Sequence, residues 1–202
     1  MRTSLIIVDD FMDNALALRD AALRLTYPPQ EGNFPGRNSQ ERINIPGLEE
    51  EVSRLVGEPL APLPRLSHAK SRLTLAADKG RARVHIDESH WSGILYLSRP
   101  EDCRGGTELF RHIPTNTDHA PVGAAELAAH GFASHEEMHR EIVEKDSLDD
   151  SKWEKLMNIP MRFNRLVLLR PWLWHTAGPG FGDSPENGRL VYLLFFRSAR
   201  QG

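Results

Sequence analysis

Four polar side chains in two distant stretches of the chain have the chemistry of a metal site beside an anion site. His85 and Asp87 are separated by one apolar residue, and His175 and Arg189 follow far downstream. Two imidazoles and one carboxylate can hold a divalent iron ion on one face and leave its other positions open for exogenous ligands. His85, Asp87 and His175 are therefore a candidate iron site.

The conformation of residues 83–87 decides whether His85 and Asp87 can bind one ion. In a strand, side chains two residues apart share a face, whereas on a helix the same positions diverge by about 200°. Val84 and Ile86 favour a strand. The sequence therefore predicts a strand over 83–87, with Arg83 on the same face as His85.

Arg189 opens the last strand-like segment and is predicted to share a face with three apolar residues, Val191, Leu193 and Phe195. An isolated buried charge is costly, so an arginine on an apolar inward face needs an anionic partner. A dicarboxylate would supply one, because a guanidinium binds carboxylates through paired hydrogen bonds.

The composition is that of one ordinary domain over residues 1–202. The chain has 40% hydrophobic and 26% charged residues and a formal net charge of -3, which gives no basic footprint for nucleic acid. The single cysteine, Cys103, forms no internal disulfide, and no secretory leader is visible, so a cytoplasmic location is expected. No apolar run approaches the ~20 residues that span a membrane.

Hydrophobic periodicity predicts a mainly β chain with flanking helices. Helices are expected after a first strand at 4–8 and again near 48–57, where Gly57 ends the second helix. Strand patterns fill 71–110, 165–170 and 189–196, and a helical insertion is expected at about 112–160. Within that insertion Ser134 and Glu137 form a capping-box pattern.

The order of these motifs resembles the iron(II)/2-oxoglutarate-dependent dioxygenases, in particular their prolyl-hydroxylase-like branch. The resemblance is carried by His85-x-Asp87, Tyr96-Leu97-Ser98, Gly105-Gly106-Thr107, His175 and Arg189, and by the opening Ile7-Val8-Asp9-Asp10-Phe11. Phe34-Pro35-Gly36-Arg37 and Asn164-Arg165-Leu166-Val167 are similar to a bacterial subfamily of unknown function.

This resemblance implies a double-stranded β-helix, a cupin-like jelly roll of about eight strands. It implies that His85, Asp87 and His175 ligate Fe(II), and that Arg189 and the Tyr96 hydroxyl bind the distal carboxylate of 2-oxoglutarate. Two departures are a longer gap before Arg189 and Ser98 in place of an asparagine.

The implied reaction uses O₂ and 2-oxoglutarate to hydroxylate an unactivated C–H bond of a small molecule, amino acid or peptide, with release of succinate and CO₂. Relatives that halogenate lack the carboxylate ligand, so Asp87 favours hydroxylation or desaturation. Arg83, Trp91 and Arg37 are the candidate substrate contacts. Five further histidines are assigned to solvated helices and loops: His112, His119, His130, His135 and His139.

Two alternatives stay open at this stage. One is a non-catalytic jelly-roll protein that binds a metal or ligand as a sensor or interaction module. The other is a cupin-like metal isomerase or hydrolase, which would keep the three ligands and have no need for Arg189.

Overall fold

The strands of this protein form two antiparallel sheets. The computed structural model describes residues 3–30 and 32–200. The strands are β1 (Leu5–Val8), β2 (Arg37–Asn38), β3 (Leu60–Pro62), β4 (Ser71–Thr74), β5 (Trp91–Tyr96), β6 (Gly106–His112), β7 (Trp153–Pro160), β8 (Leu166–Leu169), β9 (His175–Thr176) and β10 (Arg189–Ser198). The larger sheet has the order β1-β8-β5-β10-β4-β2 with β3 also paired to β10, and the smaller sheet has the order β7-β6-β9.

The helices lie at the N-terminus and between β6 and β7. They are α1 (Ala15–Leu23), α2 (Leu48–Val56), α3 (Ala124–Ala129), α4 (His135–Met138), a π-helix (His139–Glu144) and a 3₁₀-helix (Asp150–Lys152). Gly57 caps α2 with a φ of 74°, as its sequence position predicts. Ser134 accepts a hydrogen bond from the backbone N–H of Glu137 at the start of α4, also as predicted. None of the helices in the described ranges is long and apolar enough to cross a bilayer.

Strand alternation separates a helix-covered core from a cavity between the sheets. Along β10, Leu190, Tyr192 and Leu194 pack into the core beneath α1 and α2. Arg189 and Leu193 lie on the opposite face of the same strand and line the cavity. The period of two in this strand therefore supplies both core and cavity wall.

The predicted strand over 83–87 is wrong. Only His85 pairs like a strand residue, through an isolated antiparallel bridge to His175. Its backbone N–H donates to the His175 carbonyl at 2.9 Å, and the His175 N–H donates back at 3.1 Å. One bridged position replaces a ladder, so strand parity does not govern the neighbouring side chains.

The segment 112–160 is helical over only part of its length. Helices occupy parts of 124–152, but the predicted insertion runs into β7, which pairs with β6 from Gly106 to His112. The helices pack on the smaller sheet through a buried cluster that includes Met138, Ile142 and Trp174. The helix-favouring run ends at Lys145, and from Trp153 onwards long-range pairing with β6 decides the structure.

Candidate metal centre

The bridge between His85 and His175 brings the three predicted ligands together. His85 Nε2 lies 3.7 Å from Asp87 Oδ1, and His175 Nε2 lies 3.5 Å from Asp87 Oδ2. One donor atom from each of the three side chains lies within 4.8 Å of the others. Two donors that are each about 2.1 Å from one ion are at most about 4.2 Å apart, so both distances to Asp87 are compatible with a shared ion.

Backbone carbonyls fix which nitrogen of each histidine faces the cavity. His85 Nδ1 lies 2.9 Å from the carbonyl of Arg83, and His175 Nδ1 lies 2.7 Å from that of Leu173. A carbonyl oxygen only accepts, so each Nδ1 carries a proton and each Nε2 is the ring nitrogen that faces Asp87. Both histidines are thereby prepared to ligate through Nε2.

Electrostatics in this group favour a bound cation. Burial, and to a smaller extent the charge of His175, lower the pKa of His85 to about 4. Burial raises the pKa of Asp87, but the hydrogen bond and charge of His175 outweigh it and bring the value to about 2. Ser92 also donates to Asp87 Oδ2 at 2.6 Å. Asp87 is therefore a carboxylate and His85 a neutral imidazole at neutral pH. Burial lowers the pKa of His175, but the hydrogen bond and charge of Asp87 outweigh burial and raise it, so a bound metal would displace a proton from His175.

The three side chains open onto a cavity of about 870 Å³ that Arg189 also lines. Arg189 is 2% exposed and stands opposite Thr74 in the pairing of β10 with β4. Its Nε has no hydrogen-bond partner among the described residues. Burial lowers the pKa of Arg189. A buried guanidinium with unmade hydrogen bonds beside an open metal site fits a bound carboxylate.

Tyr96 is held behind the cavity wall. Its hydroxyl accepts a hydrogen bond from the Thr107 N–H at 2.9 Å and lies 2.7 Å from Thr107 Oγ1. The guanidinium carbon of Arg189 is 6.0 Å from the Tyr96 ring centroid. Thr107 itself lines the cavity. The co-substrate contact of Tyr96 stays a prediction, and Thr107 is a cavity residue that sequence reasoning missed.

The substrate role predicted for Trp91 is wrong. Trp91 is fully buried in the core on the helix-covered side of the large sheet, and its indole N–H donates to Glu58 at 2.6 Å. In β5 it alternates with Ser92 and Ile94, which line the cavity instead. Nearness in sequence to Asp87 suggested the pocket, but strand parity turns the indole away from it.

The substrate roles predicted for Arg83 and Arg37 are also not supported, because neither residue lines the cavity. Arg83 forms an ion pair of 2.6 Å with Asp150, and its guanidinium lies 5.1 Å from the Phe110 ring centroid. Its shared face with His85 depended on a strand that does not form. Arg37 is paired with the core residue Leu73 in the β2–β4 register, and paired residues share a face, so Arg37 lies on the core side. Its neighbour Asn38 lies on the other face and lines the cavity.

A loop anchored by Arg72 covers the candidate ligands. The Phe34 ring lies 4.0 Å from the His85 ring, centroid to centroid. Arg72 donates to the carbonyl of Phe34 at 2.7 Å and to that of Pro35 at 3.0 Å. Burial, with the nearby charge of Arg189, lowers the pKa of Arg72 to about 10, so it stays protonated at neutral pH. In β4 the polar residues Arg72 and Thr74 are two positions apart and flank the apolar Leu73, and this pattern could have predicted that Arg72 faces the cavity.

The π-helix adds His139 to the cavity lining. π-helical turns are rare and are found at functional sites more often than elsewhere. The sequence predicts a solvated helix at His139 and does not predict its place in the cavity lining. Its Nδ1 lies 3.4 Å from Glu144, and half of the side chain is exposed.

Solved structures of 2-oxoglutarate-dependent proteins share this fold. HygX from Streptomyces hygroscopicus, with nickel, 2-oxoglutarate and hygromycin B bound, aligns over 98% of this chain and 84% of its own, with a TM-score of 0.56 and 13% identity. The carbocyclase SnoK from nogalamycin biosynthesis aligns over 98% and 81%, with a TM-score of 0.57 and 14% identity. A prolyl hydroxylase from Trichoplax adhaerens aligns over 98% and 84%, with a TM-score of 0.51 and 11% identity. The predicted double-stranded β-helix fold is therefore confirmed.

Within that fold class, the chain belongs to the family of unknown function DUF6445, which matches residues 1–196. This agrees with the predicted resemblance to a subfamily without an assigned function. No curated protein sequence matches the chain.

Proposed function

We propose that this protein is an iron(II)- and 2-oxoglutarate-dependent oxygenase that hydroxylates an unactivated C–H bond. The observation that carries the proposal is one cavity that holds both a metal-binding donor set and an unpartnered guanidinium. His85, Asp87 and His175 present the donors, and Arg189 is buried in the same wall. A metal isomerase or hydrolase has no need for the arginine.

In this proposal His85, Asp87 and His175 hold the iron, and Arg189 binds the distal carboxylate of 2-oxoglutarate, with Thr107 and Tyr96 beside it. Iron, when bound, would supply the oxidation, in which substrate C–H, O₂ and 2-oxoglutarate become substrate C–OH, succinate and CO₂. One atom of O₂ enters the new hydroxyl group and the other enters succinate. The protein supplies orientation and a site from which water is excluded.

Hydrogen bonds within the chain orient the three proposed metal ligands. The carbonyls of Arg83 and Leu173 hold both imidazoles with Nε2 towards the site, and Ser92 fixes one oxygen of Asp87. Phe34 covers the His85 ring and restricts access of water from that side. Hydrogen bonds of this kind commonly change metal affinity or activity by about 10- to 100-fold.

The cavity supports a small molecule or a short peptide as substrate. Its volume of about 870 Å³ lies within the usual range of about 300 to 1,000 Å³ for small-molecule sites. Among proteins of this fold, HygX was solved with hygromycin B and the Trichoplax enzyme with a peptide fragment. The carboxylate of Asp87 supports oxygen transfer to the substrate.

An anaerobic titration tests the proposal. Addition of Fe(II) and then 2-oxoglutarate should produce the weak visible charge-transfer band of an iron chelate, and admission of O₂ should yield succinate. A surface variant, His119→Ala, serves as the control and should behave like the wild type.

Two results would contradict the proposal. Iron that binds without producing the band on addition of 2-oxoglutarate would exclude the co-substrate. A normal band followed by no succinate, even across a broad panel of candidate substrates, would instead indicate a sensor. Product analysis then separates hydroxylation from the other oxidative outcomes.

A further inference from the structure

The cavity wall carries more positive charge than the proposed co-substrate requires. Its lining includes five lysine or arginine residues, Arg42, Arg65, Lys70, Arg72 and Arg189, and two carboxylates, Asp87 and Glu88. Glu88 is paired with Arg65 at 2.6 Å, and Asp87 belongs to the candidate metal trio. Once Arg189 is assigned to 2-oxoglutarate, the wall still holds three cations that form no ion pair with a carboxylate of the described residues.

Two of these three cations already have neutral partners. Arg72 donates to the carbonyls of Phe34 and Pro35 and to the side chain of Asn38. Arg42 donates to the carbonyls of three residues, His68, Pro64 and Leu66. These bonds fix both guanidinium groups in place without a direct contact to a carboxylate of the described ranges. The charge of Asp78 offsets that of Arg72 only from a distance, so both groups add to the positive potential of the cavity.

Lys70 is the cation of this wall that makes no direct contact with another polar group of the described chain, and its compensating charge is that of Glu41, whose pKa the Lys70 charge helps to lower. Among the described residues its ammonium group makes no hydrogen bond or ion pair, although the side chain is half-buried. It continues the alternation of Arg72 and Thr74 along the cavity face of β4. The charge of Glu41 acts on this ammonium without direct contact, so all three of its N–H donors stay free to bind an anion.

A backbone irregularity places Lys70 in this position. Ala69 is buried and has a φ of 60°, a conformation that alanine rarely adopts. The Ala69 N–H donates to the Leu193 carbonyl at 2.8 Å, and the Leu193 N–H donates to the Lys70 carbonyl at 2.9 Å. Two residues thus oppose one across the strands, as in a β-bulge, and bulges beside functional sites redirect a side chain.

We infer that the primary substrate is a small anionic compound whose carboxylate or phosphate group binds Lys70 inside the cavity. Arg42 and Arg72 strengthen the attraction through their charge. This inference rests on the proposed function, since it assumes that 2-oxoglutarate occupies Arg189. It names the chemistry of the substrate and the residue that recognises it.

The test compares matched charged and neutral probes. Short linear carboxylic acids, the corresponding primary amides and the corresponding alkyl phosphates are titrated by calorimetry into protein loaded anaerobically with Fe(II) and 2-oxoglutarate. The wild type should bind at least one acid or phosphate about tenfold more tightly than its amide, as one charge-assisted contact allows. Stronger binding of the phosphates or of the acids identifies which anion the site prefers.

Substitution of Lys70 should remove this preference. In Lys70→Gln the charged and neutral probes should bind within about twofold of each other, and in Lys70→Glu the amide should bind more tightly. Lys145→Ala, which removes a lysine whose side chain is 69% exposed outside the cavity, should keep the full preference. Circular dichroism and thermal melting establish that each variant is folded before the titration.

Equal binding of acids and amides to the wild type, or a full preference retained in Lys70→Gln, would overturn the inference. Failure of the proposed function has a different signature, because it appears in the wild type without any probe as absence of the iron chelate band and of succinate. The titration is then repeated with protein that lacks iron and 2-oxoglutarate, where the same difference between wild type and Lys70→Gln is required.

Discussion

Two groups of histidine and aspartate in this protein have the same chemistry and opposite accessibility. In the open trio (His85, Asp87 and His175) the Nε2 atoms face Asp87 across 3.7 and 3.5 Å at a cavity. In the closed pair (His112 and Asp146) Nε2 is only 3.0 Å from the carboxylate.

The closed pair has no donor atom to offer a ligand. The Nδ1 of His112 lies 2.8 Å from Thr115 Oγ1, so both ring nitrogens are used, and Trp153 covers the ring at a centroid distance of 4.7 Å. Residue types alone do not separate such a pair from a metal site. The distinguishing features are an unused lone pair, a gap wide enough for an ion and a cavity in front of it.

Removal of the carboxylate from the open trio should have the largest effect on activity. Asp87→Ala removes the anionic ligand, so succinate formation should fall to the assay background, more than about 100-fold below the wild type. Iron binding and succinate are measured together. Full turnover in this variant would remove Asp87 from the metal site, and Asp146→Ala, assayed at a temperature where it is folded, should retain iron.

The second prediction compares a cavity arginine that has no carboxylate partner among the described residues with an arginine that is paired to a carboxylate outside the cavity. Arg189→Leu should weaken 2-oxoglutarate binding about 30- to 100-fold, because the ligand loses its charged partner, while iron affinity changes little. The chelate band, titrated with 2-oxoglutarate at fixed iron, gives both values. An equal loss of iron and co-substrate binding would show that Arg189 is structural.

Arg170 is the matched control for that experiment. Its guanidinium is paired with Glu58 at 2.6 Å and lies 4.2 Å from the Trp91 ring centroid, outside the cavity lining. Arg170→Leu should therefore lower the melting temperature and leave the 2-oxoglutarate affinity of the folded protein unchanged.

The third prediction concerns the closed pair itself. Asp146→Ala leaves the buried His112 without one partner, so the free energy of unfolding should fall by about 2 kcal/mol. Urea unfolding of the metal-free protein measures this change. A loss in Asp87→Ala of the same size under these conditions would contradict the distinction, because separating His85 and His175 from a carboxylate should cost less where a cavity admits water.

The smallest expected effect is a pH dependence from His112. Burial lowers its pKa, and the hydrogen bond that its Nε2 donates to Asp146, with the charge of Asp146, only partly offsets this. Protonation is then easier in the unfolded chain, so the contribution of His112 is complete above the unfolded value of about 6.5 and is lost as the pH falls towards the lower folded value. The loss of unfolding free energy should be below about 1 kcal/mol.

Unfolding measured at several pH values between about 7.5 and 5.5 tests this sign. His112→Gln should flatten the decline seen in the wild type, since its side chain does not titrate. His119→Gln, at an exposed position, should leave the decline unchanged. An unaltered slope in His112→Gln would assign the decline to other groups.

The sequence was sufficient for the fold class and for the grouping of the open trio, and the reason given for that grouping was wrong. A strand over 83–87 would have aligned His85 and Asp87 by parity, whereas the structure aligns them through one bridge to His175. The ligand assignments, with the co-substrate contacts of Arg189 and Tyr96, stay predictions that the experiments above address.

The substrate contacts were the part that local pattern could not supply. Trp91 and Arg37 lie on the core side of their strands, which depends on register with β10 and β4. Phe34, Lys70 and Arg72 reach the cavity because a loop, a bulge and a strand meet there. Such positions follow from long-range pairing, which neither periodicity nor spacing encodes.

The continuous strand β10 also sets a length scale for what can react. Arg189 stands at its beginning and Leu193, the partner of the Lys70 bulge, four residues further along. At about 3.3 Å per residue these two backbone positions are about 13 Å apart. One continuous strand therefore fixes the distance between the two proposed anion positions, and 2-oxoglutarate occupies part of the space between them. A substrate anchored at Lys70 can place only a short chain between its charge and the carbon that is oxidised.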